Sequence, residues 1–270
     1  MALLSKLGTQ RLKFSGAAGP DAVAHSPTGV LATASTENGG SIAVLVYNSN
    51  DTTADAAAGV TVNLRLTVTP FSPTANLTLV HYRLDMDHGN AYAVWLAQGS
   101  PELPSSAQIR ALWAADGLLP IAPPMLVERD RDGSLTIPTF DLPQPGVSLL
   151  HVVASPIAEP PAPTSVRPYA KPQGASLLDV SDGTEVLCVW DCLQSSQSIL
   201  GHVVQFATAG ANGPWTDAGA PRDDFSCSFL HVAPSGAGTQ LWYRVAAVNY
   251  DGVQGAWSAS VQAMNWPAPP

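Results

Sequence analysis

The chain has 270 residues, including 22 glycines and 24 prolines, and that length is enough for one or two domains with cores of their own. Only 12% of the residues are charged, with 12 basic against 21 acidic and a net charge of −9, which argues against a nucleic-acid backbone binder because nothing supplies the counterion-release contribution. Hydrophobic residues reach 46%, yet no apolar run approaches the roughly 20 residues that a membrane span needs.

In chain order, Met1-Ala2-Leu3-Leu4-Ser5-Lys6-Leu7-Gly8 places a lysine inside a short apolar stretch, with no small-residue cleavage site after it, so it does not read as a signal peptide. Strands are expected at 29–34, 41–48, 77–84, 135–137 and 147–153, separated by turn chemistry such as Glu37-Asn38-Gly39-Gly40 and Asp132-Gly133-Ser134. The clearest strand signal is Val60, Val62, Leu64, Leu66 and Val68 alternating with polar residues, a period of two that marks a half-buried strand. One helix is predicted between them: Ser105-Ser106-Ala107-Gln108 is a capping box, Ile109, Leu112 and Trp113 follow at helical spacing, and Gly117 stops it. This helix is expected to pack on the first sandwich as a crossover. The run Pro156-Ile157-Ala158-Glu159-Pro160-Pro161-Ala162-Pro163 lacks the N–H donors of a sheet centre and reads as an extended linker.

After the linker, strands are expected at 185–190, 200–206, 224–232, 240–248 and 256–264, with Val186, Cys188 and Trp190 on one face of the first of them. The predicted fold class is therefore all-β: a β-sandwich with one short helix over 14–155, then a second sandwich over 164–270. Cys188 and Cys192 are four apart on one strand and cannot bridge each other, and although Cys227 could approach Cys188, three free thiols are expected.

The segment Tyr82-Arg83-Leu84-Asp85-Met86-Asp87-His88-Gly89-Asn90-Ala91-Tyr92-Ala93-Val94-Trp95 concentrates polar and aromatic side chains after a strand. Asp85, Asp87 and His88 invite a metal reading, but a bare D-x-D-H without a distant third ligand is a weak signal, and a structural loop is expected. Asp130 and Asp132 before Gly133 imitate the start of a calcium loop but lack a closing glutamate, so a charged hairpin turn is expected. The six histidines are scattered singly, no G-x-S-x-G elbow occurs and no Gly-rich phosphate loop joins a strand to a helix, so neither cofactor nor metal is expected. Asn50-Asp51-Thr52 and Asn76-Leu77-Thr78 satisfy the N-glycosylation triplet, which matters only in a secreted chain. Trp95, Trp215, Trp242, Trp257 and Trp266 are candidate stacking platforms, with packing as the alternative role.

Two resemblances extend this reading. Tyr243-Arg244-Val245-Ala246-Ala247-Val248-Asn249 through Gly255-Ala256-Trp257-Ser258 resembles the end of a fibronectin type III domain, which implies an immunoglobulin-like sandwich with Trp190 in its core and Tyr243 as a structural residue. The segment from Tyr82 to Trp95, continued by Leu96-Ala97-Gln98-Gly99-Ser100-Pro101 and by 104–112, resembles the region that follows the catalytic barrel in glycoside hydrolase family 39, which contains β-xylosidases and α-L-iduronidases. That resemblance implies an accessory sandwich packed on a (β/α)₈ barrel, with residues 1–13 as the remnant of the barrel's last helix and Asp85, Asp87, His88, Asn90, Tyr92 and Trp95 as a barrel-interface loop. It also implies a lysosomal or extracellular location, and a barrel partner in cis or in trans. The family's acid/base glutamate follows an asparagine, whereas Glu37, Glu102, Glu128, Glu159 and Glu185 follow Thr, Pro, Val, Ala and Thr. The reading is a non-catalytic accessory region; the alternatives are a stand-alone carbohydrate- or protein-binding module and a docking subunit for a separate barrel.

Overall fold

The computed structural model describes residues 2–13, 15, 28–36, 40–49, 59–67, 70–171, 183–191, 198–219, 227–234 and 240–265. The chain divides into two compact units, one made of Met1–Ala97 with Ala114–Ile157, the other of Gln98–Trp113 with Ala158–Pro270.

The first unit starts with helix α1 (Ala2–Ser5) and strands β1 (Gln10–Arg11), β2 (Thr28–Ser35), β3 (Ser41–Asn48), β4 (Val60–Leu66) and β5 (Asn76–Leu84). Helix α2 (Ala91–Ala97) follows, and after helix α3 (Ser106–Ala115) come β6 (Met125–Val127), β7 (Leu135–Leu142) and β8 (Gly146–Ser155). Six strands form one sheet in the order β1-β2-β3-β8-β5-β6, and β4 pairs with β7 in a second sheet of two strands. β8 is the centre: it pairs antiparallel with β3 from Ser41↔Val153 to Asn48↔Gly146 and with β5 from Asn76↔Ser155 to Leu84↔Val147. Alternation sends Ile42, Val44, Val46, Leu150 and Val152 to one face, where Val62 and Leu66 of β4 and Leu135, Ile137 and Leu142 of β7 close the core. The period-two strand read from the sequence is β4, although its regular pairing is interrupted by a bulge between Val62 and Leu64.

The second unit has strands β9 (Thr164–Ala170), β10 (Gly183–Asp191), β11 (Ile199–Ala207), β12 (Thr216–Asp217), β13 (Ser228–Pro234), β14 (Trp242–Asn249), β15 (Val261–Gln262) and β16 (Met264–Asn265). They make two sheets of four, ordered β13-β10-β9-β16 and β12-β11-β14-β15. Val186, Cys188 and Trp190 of the first sheet share a core with Val204, Tyr243 and Val245 of the second, and Trp190 is 4% exposed.

Four expectations change. Residues 91–97, read as part of a loop, form α2, so among the described residues the sandwich's one expected helix is joined by a second, while α1 falls in the 1–13 segment expected to be helical. The 106–115 helix was expected on the first sandwich, but residues Gln98–Trp113 group with the second unit. The strand expected at 256–264 is two short strands preceded by an extended segment, because the Ser258 hydroxyl, instead of a strand carbonyl, accepts the Val245 N–H at 3.0 Å. The fourth change concerns sulfur: Cys188 is a free, buried thiol, but Cys227 is disulfide-bonded, so three free thiols is wrong. Cys192, which completes the set of three cysteines in the sequence, lies outside the described residues. Titration of the denatured, unreduced chain should therefore find one thiol, rising to all of the cysteines after reduction; a full complement before reduction would contradict the bridge.

Candidate functional site

The 82–95 segment separates into a buried polar turn and an exposed helix. β5 ends at Leu84, and the chain reverses there because Gly89 adopts φ +59°; a Cβ at that position would lie 2.5 Å from Leu84 Cδ2. Asp85 organises the turn. Its Oδ1 accepts the backbone N–H groups of Asp87 at 2.8 Å and His88 at 2.9 Å, and lies 2.8 Å from His88 Nδ1, while the Asp85 N–H donates to the His88 carbonyl at 3.1 Å. Burial by itself would raise the Asp85 pKa, but the His88 ring and these N–H groups outweigh it and hold the carboxyl below its ordinary value.

Beneath the turn a polar row runs along one face of the sheet. Arg83 Nε lies 3.9 Å from Asp85 Oδ2 and donates to Ser148 Oγ at 3.3 Å, and Ser148 Oγ is 2.9 Å from His81 Nε2. Arg83 can only donate, so the Ser148 oxygen accepts from it and shares its remaining hydrogen-bonding capacity with the His81 ring. The His81 ring meets Phe140 of the facing sheet edge-on at 4.6 Å, and the Arg83 guanidinium lies over the same ring at 5.6 Å. Burial, with help from Arg83 and His88, lowers the His81 pKa to about 4, so the ring is neutral at ordinary pH. A serine and a histidine in contact suggest a nucleophile and its base, but Ser148 is fully buried and its oxygen is occupied by Arg83. The row is a structural network.

The Asn90 side chain caps α2, its Oδ1 accepting the Tyr92 N–H at 3.0 Å. The helix carries no buried residue; Tyr92 is 57% and Leu96 43% exposed, and Tyr92 stacks on Trp95 with ring centroids 5.6 Å apart. Met86 and Leu119 are exposed as well, and the segment around Leu119 runs beside β5, with Tyr82 bridged to Pro120 and the Ile121 N–H donating to the His81 carbonyl at 2.9 Å. Asp85, Asp87, His88, Asn90, Tyr92 and Trp95 thus lie together, but in two roles: Asp85, His88 and Asn90 build the support, whereas Tyr92 and Leu96 form an apolar surface. Asp85 is buried and Asp87 exposed, so the two carboxylates of the turn do not face the same way. Sequence reasoning missed α2 although the signal was there, an asparagine followed by seven good helix or apolar residues.

Elsewhere, Asp130 and Asp132 form a charged turn, but it links β6 of one sheet to β7 of the other and so is not the hairpin expected; the single Ser134 hydroxyl lies 2.6 Å from Asp132 Oδ1 and 3.0 Å from Asp130 Oδ2, and Arg65 pairs with Asp132. No group of three metal-ligating side chains occurs among the described residues. Asn76 is exposed at the start of β5 while Thr78 is buried; Asn50 and Trp266 lie outside the described residues. Trp190 and Tyr243 are buried, and the Tyr243 hydroxyl lies 2.9 Å from His231 Nδ1.

Comparison with known proteins follows the same line. The family profile of the glycosyl hydrolases family 39 matches residues 1–123. The α-L-iduronidase of Canis lupus familiaris is 32% identical over 276 residues, an alignment that takes in 100% of this chain and 39% of that protein. The α-L-iduronidase of Homo sapiens is 30% identical, again with 100% and 39% covered. The chain thus spans about two fifths of the length of these relatives. A solved structure of a bacterial orthologue of human α-L-iduronidase superposes with a TM-score of 0.68 at 22% identity, over 87% of this chain and 38% of that one, which shows a shared fold.

The two roles in the turn separate under mutation. Asp87→Ala should shift stability by no more than about 0.5 kcal/mol, as exposed positions do. His88→Ala and Asn90→Ala should each cost about 1 kcal/mol, the one for leaving buried Asp85 short of a partner and the other for the lost cap. Urea unfolding of the three variants checks this, and three equal, negligible shifts would show that the turn carries no structural network.

Proposed function

Because this chain is related to the α-L-iduronidases of glycosyl hydrolase family 39, we propose that it is a non-catalytic accessory region of an iduronidase-like glycosidase. Its work is to support a (β/α)₈ barrel, in cis or in trans, that carries the chemistry. The observation that carries this reading is the α2 surface: a helix with no buried residue, displaying Tyr92 and Leu96 on a turn pinned from below by Asp85. Ala91, Ala93, Val94 and Trp95 are only half-buried, Tyr92 and Leu96 are exposed, and seven residues are too few to be stable alone, so the exposed side of α2 is read as a contact face.

The carboxylates support the same view. A retaining glycosidase sets two carboxyl groups about 5 to 5.5 Å apart on opposite sides of the scissile bond. Asp85 is committed to backbone N–H groups and His88, the Asp130 and Asp132 pair is committed to Ser134 and Arg65, and Glu102, Glu128 and Glu159 are exposed on connecting segments. Glu185 is buried within β10, and Glu37 lies outside the described residues. The second unit, with its fibronectin type III-like sequence, would be scaffold in the same assembly. The Cys227 disulfide favours an oxidising compartment, in keeping with the lysosomal or extracellular location that the resemblance implies.

The purified chain should turn over neither an aryl iduronide nor an aryl xyloside, and the Asp85→Asn, Asp87→Asn double variant should behave identically. Turnover above background that disappears in the double variant would replace the accessory role with an active site in the turn. Genomic sequence upstream of the Met1 codon supplies the complementary check: a reading frame for a barrel with an Asn-Glu pair supports the proposal.

A further inference from the structure

The outward face of the β11-β14 pair carries a side-chain assembly that neither the core nor the accessory role uses. Arg244 projects outward from β14, and its guanidinium is held between two indole rings, 4.4 Å from the Trp215 centroid and 4.3 Å from that of Trp257. Its plane is fixed by Gln205, the cross-strand neighbour, whose Oε1 accepts from Nε at 2.9 Å and from Nη2 at 2.6 Å; Gln205 in turn donates to Asp217 Oδ1 at 2.9 Å. The surrounding backbone serves this arrangement. Gly213, at φ +90°, packs directly under Trp215, where a Cβ would come within 2.7 Å of the indole. Ser258, bonded through backbone and side chain to Val245, fixes Trp257 beside β14.

The assembly is positioned but electrostatically incomplete. The acceptor of Arg244 is a neutral amide oxygen, no carboxylate pairs with the guanidinium among the described residues, and Nη1 has no acceptor among them. A guanidinium with one edge filled and the other open matches the two oxygens of an oxyanion. Trp215 and Trp257 are half-exposed, and Trp242, two residues before Arg244 on the same face of β14, adds a third half-exposed indole, so apolar ring surface surrounds the charge.

We propose that the Trp215–Arg244–Trp257 assembly is a binding site for an oxyanion carried on a sugar ring, a carboxylate or sulfate ester meeting Arg244 and the ring lying against the indoles. The site lies wholly within the second unit and does not depend on the accessory role.

The test is a tryptophan-fluorescence titration of the full chain with methyl β-D-glucuronide, glucose 6-sulfate, methyl β-D-glucoside and sodium acetate. A saturable response to one or both anionic sugars is expected, and it tells carboxylate from sulfate; the glucoside and acetate should bind at least about tenfold more weakly. Arg244→Gln should abolish the response and Arg244→Lys should weaken it about tenfold, because an ammonium keeps the charge but not the fork. Asp217 is exposed, so Asp217→Asn keeps the fold and should tighten the anionic sugars about twofold while leaving the glucoside unchanged. Equal binding of glucoside and glucuronide, binding that survives Arg244→Gln, no effect of Asp217→Asn, or no response to either anionic sugar would each overturn the site.

Discussion

The first unit depends on the pairing of β8 with β3 and β5. All of β8 is in register with one or the other neighbour, and its residues from 148 to 153 are buried on both faces of the sheet. One face meets the β4-β7 pair; the other meets the N-terminal segment, where Lys6 is fully buried and electrostatically coupled to His151, and the Gly8 N–H donates to Thr33 Oγ1 at 2.8 Å. The same register delivers Ser148 to His81 and Arg83, and through Arg83 reaches Asp85. A slip by one residue would turn Ser148 and Leu150 to the opposite face and dismantle both the core and the support of the α2 turn. The display surface is therefore a consequence of central-strand pairing some distance along the sequence.

Most strands were legible because their residues alternate or form β-branched runs between turn residues, and the 41–48 expectation coincides with β3. What was not legible is instructive in its causes. Ala91-Tyr92-Ala93-Val94-Trp95-Leu96-Ala97 is apolar or aromatic at every position, so the alternation of apolar and polar faces by which amphipathic helices are found is missing, and only the Asn90 cap marked it. The support under it could not be read at all, since Arg83 and Ser148 are 65 positions apart and meet only through the β5-β8 register. The Cys227 bridge failed for a related reason: spacing excludes a bridge along one strand but does not say which strands are neighbours. The Trp215–Arg244–Trp257 assembly draws its members from three separate segments of the second unit, and individually each tryptophan reads as core.

Buried histidines set how this fold responds to acid. Desolvation lowers His81 and His231 to about 4 and His151 to about 3, with Arg83 and His88 adding to the first and Lys6 to the last. The unfolded chain, with ordinary histidines near 6.5, binds protons first. Stability is thus complete above pH about 6.5 and falls as pH drops towards about 4, by about 1.4 kcal/mol per pH unit for each proton taken up on unfolding. An acidic compartment would load this fold, and contact between the α2 face and a partner would offset that load by mass action.

Hydrogen exchange measures the central claim, that the α2 face is made to be covered. Amide exchange should be compared between this chain alone and a longer protein in which it is joined to a family 39 barrel. The account predicts that Tyr92–Ala97 and the segment around Leu119 exchange slowly only in the longer protein, with the Asp130–Ser134 turn unchanged. Identical exchange of α2 in both forms, with protection gained elsewhere or nowhere, would contradict it.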